Sequence, residues 1–408
     1  MMQCRFDTLP LSAVFVDLGF CPPSNSYLKK KQLNDSEAYY PLKLYVSERT
    51  FLVQVDELKS AHEIFSDDYA YFSSFSKSWL KHAENYVAMM VSRFGVDQDW
   101  QVVELASNDG YLLQYFKQRS VPVLGIDPAL SVAIAARQKG IDTRVEFFGI
   151  ALARELKAEG VSADLLLGNN VLAHVPDLND FVGGIKVLLS NDGIITMEFP
   201  HLMRLVESVE FDTIYHEHFS YFSFYTVIQI FAAHGLDIFD VDEIPTHGGS
   251  LRIYAQHEDG PQPIHANVDA LLQKEKAKGM QTLEYYKGFQ TRVGRVKISL
   301  LKFLIEQKEA GRKVAAYGAA AKGNTLLNFC GVRVDFISFV VDACDYKQGH
   351  YMPGSHIPIV SEERIREEKP DYIVILPWNL EDEIVEQLSY IREWGGQFVI
   401  PIPNLRCF

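Results

Sequence analysis

Apolar and polar positions alternate in short blocks along most of this chain, and the blocks change period in a regular way. Near 74–94, Trp79, Ala83, Tyr86, Met90 and Phe94 recur at helical spacing, which predicts one helix with a single apolar stripe. A compact apolar run at 101–105 predicts a short buried strand. It breaks at Ala106-Ser107-Asn108-Asp109-Gly110 and passes into a helical pattern over 111–118. A second strand at 121–126 ends in Asp127-Pro128, and a helix follows at 129–139. Further strands are predicted at 163–167, ending in Gly168-Asn169-Asn170, and at 192–199. Strands alternating with helices imply an α/β fold with a doubly wound parallel sheet.

The same grammar returns near the end of the chain. A charge-rich helical stretch over 265–310 leads to a strand at 313–317, which enters a glycine-bearing turn at 318–323. Strands at 336–341, 372–376 and 397–400 complete a second, smaller α/β unit. The start of the chain is different. Short β-rich runs at 13–16 and 51–55 flank turn signals at Cys21-Pro22-Pro23-Ser24-Asn25 and Tyr40-Pro41. Three domains are therefore expected, over 1–65, 66–258 and 259–408. A length of 408 residues fits two or three domains at about 150 residues each.

Composition narrows the class. With 48% hydrophobic and 23% charged residues the chain is ordinary globular protein, not a disordered one. A net charge of −14 disfavours nucleic-acid binding, which needs a basic face to displace counterions from phosphates. Cys4, Cys21, Cys330, Cys344 and Cys407 are too few and too scattered for a disulfide scaffold, so reduced thiols are expected. The first residues lack the charged-then-apolar pattern of a signal peptide. No stretch approaches the roughly 18 apolar residues of a membrane helix. A cytoplasmic protein without membrane partners is expected.

Ligands of open α/β sheets bind beyond the carboxyl ends of the strands. Three such ends are informative in the first unit. Glu104 through Gly110 joins a strand to a helix, with a glycine that suits close backbone approach to a ligand and with Ser107, Asn108 and Asp109 as polar groups. Asp127 ends the second strand, where a carboxylate can accept hydrogen bonds from ribose hydroxyls. Asn169 and Asn170 end the third. The loop has too few glycines for a dinucleotide fingerprint, so a nucleoside without phosphates, such as S-adenosylmethionine, fits better.

A second concentration of chemistry lies at Tyr215-His216-Glu217-His218-Phe219-Ser220-Tyr221. Histidine exchanges protons near neutral pH, and tyrosine hydroxyls can donate to a developing oxyanion. If this segment is extended, His216 and His218 share a face and Glu217 points away. The pair could then hold a metal, or simply complete a polar core. Thr246-His247-Gly248-Gly249-Ser250 predicts a tight turn entering a strand, with His247 facing the same cleft. In the second unit, Tyr317-Gly318-Ala319-Ala320-Ala321-Lys322-Gly323-Asn324 follows a strand and opens a helix. N–H groups at a helix start and the Lys322 charge favour an anion, and a diphosphate is the natural guest. Asp342, Trp378 and Asn379 at neighbouring strand ends are placed for a sugar hydroxyl and a base.

Three segments carry a family resemblance. They are Asp212-Thr213-Ile214-Tyr215-His216-Glu217-His218-Phe219-Ser220, Thr246-His247-Gly248-Gly249-Ser250-Leu251-Arg252 and Tyr317 through Asn324. In this order, over nearly the whole chain, they resemble the three-domain C-methyltransferases of deoxysugar pathways. The resemblance implies a Rossmann-like class I methyltransferase domain, a second Rossmann-like C-terminal domain for a nucleotide-sugar, and S-adenosylmethionine as methyl donor. It implies a dTDP- or GDP-linked 4-keto sugar methylated beside the ketone, at C-3. By the same resemblance His218 is the general base, Tyr215 and Glu217 line its site, and His174 lies beside the methyl donor. Tyr69 or Tyr71 reaches the sugar. Methylation of a sugar hydroxyl or amine, a nicotinamide oxidoreductase and a non-catalytic nucleotide-sugar binder are the competing functions. The family's N-terminal zinc module carries two Cys-x-x-Cys pairs, and here the chain departs from it. Cys4-Arg5-Phe6-Asp7 keeps one cysteine, and Ser47-Glu48-Arg49-Thr50 keeps none. The module is expected to persist without its zinc.

Overall fold

A computed structural model of the chain describes residues 2–56 and 72–408. Strands β1 (Ala13–Cys21), β2 (Tyr40–Val46) and β3 (Val53–Val55) form an antiparallel ribbon. A helix over Lys77–Phe94 follows, capped by the Ser76 side chain and stopped at Gly95 with φ 71°. Its predicted stripe is the packed face, with Ala83, Tyr86 and Met90 fully buried.

The chain then lays down β4 (Val102–Leu105), β5 (Val123–Ile126), β6 (Thr143–Arg144), β7 (Ala163–Asn169) and β8 (Leu189–Pro200). Next, β9 (Ser220–Tyr221) leaves this run and pairs with β3, stitching the N-terminal ribbon to the middle of the chain. Strands β10 (Leu236–Ile244) and β11 (Ser250–His257) complete a seven-stranded sheet in the order β10-β11-β8-β7-β4-β5-β6. The sheet is mixed, and this corrects the expectation of an all-parallel one. A short turn over Thr246–Gly248 joins β10 to β11, and strands so closely connected can only run antiparallel. β11 is antiparallel to β8 as well. The chain reverses winding direction at β4, between β5 and β7, so the crevice beyond Leu105 and Asn169 is the sheet's ligand position.

After helices over Ala266–Ala277 and Phe289–Glu309 comes a second sheet. It contains β12 (Val314–Tyr317), β13 (Val340–Val341), β14 (Ile359–Val360), β15 (Tyr372–Ile375), β16 (Gln397–Ile400) and β17 (Arg406–Cys407), in the order β14-β13-β12-β15-β16-β17. The strand expected over 336–341 shrinks to two residues, because the Phe336 and Ile337 N–H groups bond the Arg333 carbonyl in a turn. One apolar cluster joins the N-terminal ribbon, the 202–221 segment, the Phe289–Glu309 helix and one face of the second sheet. Phe15 stacks on Phe289 within it, ring centroids 4.6 Å apart. No helix among the described residues is long and apolar enough to cross a membrane.

The N-terminal ribbon keeps the two turns at which the resemblance implies a zinc site. Cys4 Sγ lies 3.8 Å from Thr50 Oγ1. Ser47 Oγ accepts the Arg49 and Thr50 N–H groups, so a hydroxyl turns back onto its own loop. Burial raises the Cys4 thiol pKa, which keeps the proton on sulfur. One protonated thiol, the Asp7 carboxylate and two hydroxyls do not fit a structural zinc, which wants thiolates or imidazoles. Among the described residues no group of histidine, cysteine and carboxylate side chains could hold a metal. The purified protein is expected to carry well under one zinc per chain and to keep its far-UV circular dichroism in chelator. One tightly held zinc per chain in elemental analysis would contradict this.

Candidate active site between the two sheets

The loop after β4 is built from three left-handed residues: Ala106, Asn108 and Gly110 have φ of 54°, 50° and 73°. Gly110 serves packing rather than ligand approach, because an added Cβ would lie 2.4 Å from Ile141 Cδ1. Asp127 ties the loop down. Its two oxygens accept the Asn108 and Ala129 N–H groups, each at 2.9 Å. Burial pushes its carboxyl up to about 6, against the pull of those two bonds. Glu104 is fully buried. Burial, then Asp127 and Asp109, push its carboxyl well above the ordinary range, with the nearby Tyr111 hydroxyl opposing them. Asp109 is held by Lys139 Nζ at 3.0 Å, and its other oxygen is unpartnered. Ser107 occupies the space left by Gly125, where a Cβ would meet its Oγ at 2.4 Å. Three carboxyls thus converge on the crevice beside β4.

Asn170, at φ 56° beyond β7, sends its Nδ2 to His247 Nε2 at 3.1 Å. The Asn169 Nδ2 is buried without a partner. His174 donates Nδ1–H to the Glu217 carbonyl at 2.7 Å, and its ring lies 4.7 Å from that of His218. Burial drops the His174 imidazole to about 4.

His218 Nδ1 donates to the Thr213 carbonyl at 3.0 Å, so Nε2 keeps its lone pair and accepts the Tyr215 hydroxyl at 2.8 Å. Burial holds this imidazole well below its ordinary value, and His174, His247 and Lys322 add to the effect. The segment is a turn here and not a strand. His216 therefore diverges from His218, bonding the Pro41 carbonyl at 3.2 Å and packing edge-on to Tyr40. That removes both the shared-face metal pair and His216 as a rival base. The Glu217 carboxylate is held by Asn25 Nδ2 of the N-terminal ribbon at 2.7 Å.

His247 sits at φ 55°, in the turn before β11. Burial first, then the Lys322 charge, drops it to about 4. Gly248 is glycine for two reasons. Its φ is 94°, and a Cβ there would lie 2.6 Å from both Glu210 Oε1 and a Trp378 ring carbon. The turn is braced from below by Glu198, which bonds Thr246, His82 and Arg252 at 3.1, 2.9 and 2.9 Å. Burial alone would raise the Glu198 carboxyl, but His82 and Arg252 outweigh it and hold it below its usual range.

The second unit meets this turn directly. Lys322 Nζ donates to Asn379 Oδ1 at 2.7 Å and stands 4.7 Å over the Trp378 ring. Trp378 Nε1 donates to Asp212 Oδ2 at 2.8 Å, so the indole ties the second unit to the segment before His218. Thr325 Oγ1 bonds the Ile214 carbonyl at 2.8 Å and fixes the helix against the His218 segment. Other expected ligands of this unit have structural partners. Asp342 holds the Ala319 and Cys344 N–H groups, the Tyr317 hydroxyl reaches Gln387, and the buried Asn324 accepts from Asn328. Gly318 admits Pro377, whose Cδ would lie 2.4 Å from an added Cβ. Lys322 and His247 are near enough to His218 for their charges to act on it, and Asn379 is tied to Lys322. Tyr69 and Tyr71 lie outside the described residues.

Glu210 and Asp212 were not singled out as site residues from sequence. Burial and the Asp212 charge push the Glu210 carboxyl up to about 8. Burial lifts Asp212 to about 6, with Lys322 and Trp378 opposing. A carboxyl raised from 4.5 to about 8 contributes stability that is full below pH 4.5 and is lost as pH rises through 8. Glu210→Gln is therefore expected to change thermal stability little at pH 5 and to raise it at pH 8.5 by about 4 kcal/mol. A variant less stable than wild type at pH 8.5 would show an ionised, paired Glu210 instead.

Three family models cover most of the chain. One described as "Putative zinc binding domain" matches residues 4–65, "Methyltransferase domain" matches 79–241, and "C-methyltransferase C-terminal domain" matches 245–403. The C-methyltransferase NovU of Streptomyces niveus is 33% identical over 391 residues, 96% of this chain and 93% of its own length. Among solved structures, a Burkholderia thailandensis 1,6-didemethyltoxoflavin-N1-methyltransferase is 19% identical, with 51% of this chain and 95% of that one covered at a TM-score of 0.37. The magnesium protoporphyrin IX methyltransferase of Synechocystis PCC 6803 is 15% identical, covering 48% and 88%, at a TM-score of 0.35.

Proposed function

Because the chain belongs to the S-adenosylmethionine-dependent C-methyltransferases, we propose that its acceptor is the carbon beside the ketone of a nucleoside-diphosphate-linked 4-keto deoxysugar, at C-3. The single observation that carries this reading is the His218–Tyr215 pair. It offers a neutral imidazole with its Nε2 lone pair turned to a phenol, in the interior contact between the two α/β units.

The crevice beside β4 fits the methyl donor. S-adenosylmethionine carries a sulfonium and an ammonium, and Glu104, Asp109 and Asp127 offer three buried carboxyls, with one Asp109 oxygen unpartnered. A cation brought to this cluster favours the ionised form of carboxyls that burial otherwise penalises, as it does Glu104 and Asp127. The donor supplies a methyl group already activated for attack by a carbanion. In this reading Asp127 takes the ribose and the 107–110 loop frames the donor.

The remaining chemistry falls to the chain's own side chains. A 4-keto group acidifies the adjacent C–H. His218 Nε2 accepts that proton, and the C–H electron pair moves toward the ketone oxygen. The Tyr215 hydroxyl, hydrogen-bonded to Nε2, shifts its donation to that oxygen as charge develops there. Nδ1–H stays on the Thr213 carbonyl and holds the ring in register. The carbanionic carbon would then attack the methyl carbon of the bound donor, the C–S bond breaking with its electron pair left on the thioether sulfur and the ketone re-forming. Both reactants are bound, so positioning supplies much of the rate. The nucleotide extends over the second sheet. The test is incubation of the enzyme with the methyl donor and candidate dTDP- and GDP-linked 4-keto sugars. The expected result is a mass gain of one methyl on one sugar. A methyl at C-5 instead of C-3 would move the site of deprotonation to the ketone's other neighbour.

A further inference from the structure

The Lys322 ammonium is an unusual group. It is partly buried at the start of a helix in the second unit, yet it is near enough to His218 and His247 of the first for its charge to act on both. One donor is fixed on Asn379 Oδ1, and the Trp378 ring lies beneath it. No ion pair to Lys322 closes among the described residues, although Glu210 and Asp212 are near enough for their charges to act on it. Glu210 Oε1 and Asp212 Oδ1 are themselves buried without hydrogen-bond partners. A sheltered ammonium with spare donors and no anion calls for a ligand that supplies negative charge.

We infer that Lys322 is a catalytic residue whose ammonium holds the ketone oxygen as it becomes an enolate, opposite the proton taken by His218. This inference rests on the carbon-acid chemistry proposed above. It replaces a diphosphate as the partner of Lys322, for a physical reason. A permanent dianion in this pocket would sit against the Asp212 carboxylate. It would also draw protons onto His218, His174 and His247, and so remove the base. An enolate carries its charge only after the proton has reached His218, so it exerts no such pull on the resting site. The balance is simple. The C–H bond breaks, its proton goes to Nε2, its electron pair passes to the oxygen, and Lys322 donates a hydrogen bond without losing a proton. Asn379 and Trp378 hold the ammonium in place beforehand, which is what makes a donor effective in a transition state.

The test is exchange of the sugar α-hydrogen in D2O without methyl donor, alongside binding of bare dTDP and GDP. Lys322→Gln is expected to slow exchange at saturating sugar by about 10²–10³-fold, the loss seen on removing one oxyanion donor. It should change the affinity for whichever bare nucleotide the wild type binds by less than about twofold. Lys322→Arg, which keeps the charge, should exchange faster than Lys322→Gln. Wild-type exchange at saturation in Lys322→Gln, or a tenfold loss of bare-nucleotide affinity with exchange retained, would overturn the inference and return Lys322 to the diphosphate. A wild-type enzyme that exchanges no sugar hydrogen would overturn the proposed carbon chemistry itself, a failure distinct from loss in the variants alone.

Discussion

His218→Asn is expected to lower turnover by about 10²–10⁴-fold, the contribution of a positioned general base. Asparagine keeps polarity and approximate size but cannot accept the proton. Both ligands should still bind, because the fold around residue 218 rests on Phe211, Ile214 and Phe219 packed in the common core. Exchange of the α-hydrogen should slow in parallel with methylation. His216→Asn should leave turnover nearly unchanged, since His216 faces Pro41 and Tyr40. The same site sets a pH dependence. Burial and the neighbouring imidazoles hold His218 well below the ordinary value of about 6.5, so its base form persists as the medium is acidified. The acid limb of kcat/KM, measured at saturating methyl donor, should therefore fall below pH 6.5. Half the activity lost at pH 6.5, or full turnover in His218→Asn, would place the proton elsewhere.

Asp127→Ala is expected to weaken S-adenosylmethionine binding by about 1.5–3 kcal/mol, or about ten- to a hundredfold, the scale of a charged hydrogen bond. The alanine also frees the Asn108 and Ala129 N–H groups that frame the loop. In the wild type the free carboxyl takes up a proton near pH 6. A ligand that needs it ionised should bind progressively more weakly as pH falls below that point. Calorimetry would check both statements. An unchanged affinity in Asp127→Ala would remove this carboxylate from the donor site.

Much of the architecture is legible in the chain, because local pattern and tertiary role agree there. The stripe from Trp79 to Phe94 is a helix whose middle is core. The apolar runs ending in Leu105, Ile126 and Asn169 are strands of one sheet. Legibility stops where tertiary contacts decide. Periodicity reads His216 and His218 as sharing a face only if the segment is extended, and the turn that prevents this, closed by the His218 N–H on the Tyr215 carbonyl, is local geometry without a strong sequence signal. In sequence the glycine at 110 reads as room for a ligand, and those at 248 and 318 as turn residues. Their nearest neighbours are Ile141, Glu210 with Trp378, and Pro377, each distant in sequence. Glu210 and Asp212 immediately precede the histidine segment. Nothing local marks them as buried, because the cover comes from Trp378, more than 160 positions downstream. The N-terminal turns are the reverse case. The absence of cysteines at positions 7, 47 and 50 is plain in sequence, and the Ser47 and Thr50 hydroxyls and the Asp7 carboxylate accept backbone N–H groups of their own turns.

The central claim is that this enzyme makes a carbon–carbon bond beside a ketone by way of a carbon acid. The most direct measurement is nuclear magnetic resonance of the product formed from S-adenosylmethionine labelled with ¹³C in its methyl group, using sugar deuterated beside the ketone. The account predicts a label on a quaternary or tertiary carbon at the aliphatic C-methyl position, with one deuterium lost for each methyl gained, and the same deuterium lost slowly when the methyl donor is withheld. A label resonating as an O- or N-methyl group, with all deuterium retained, would contradict it.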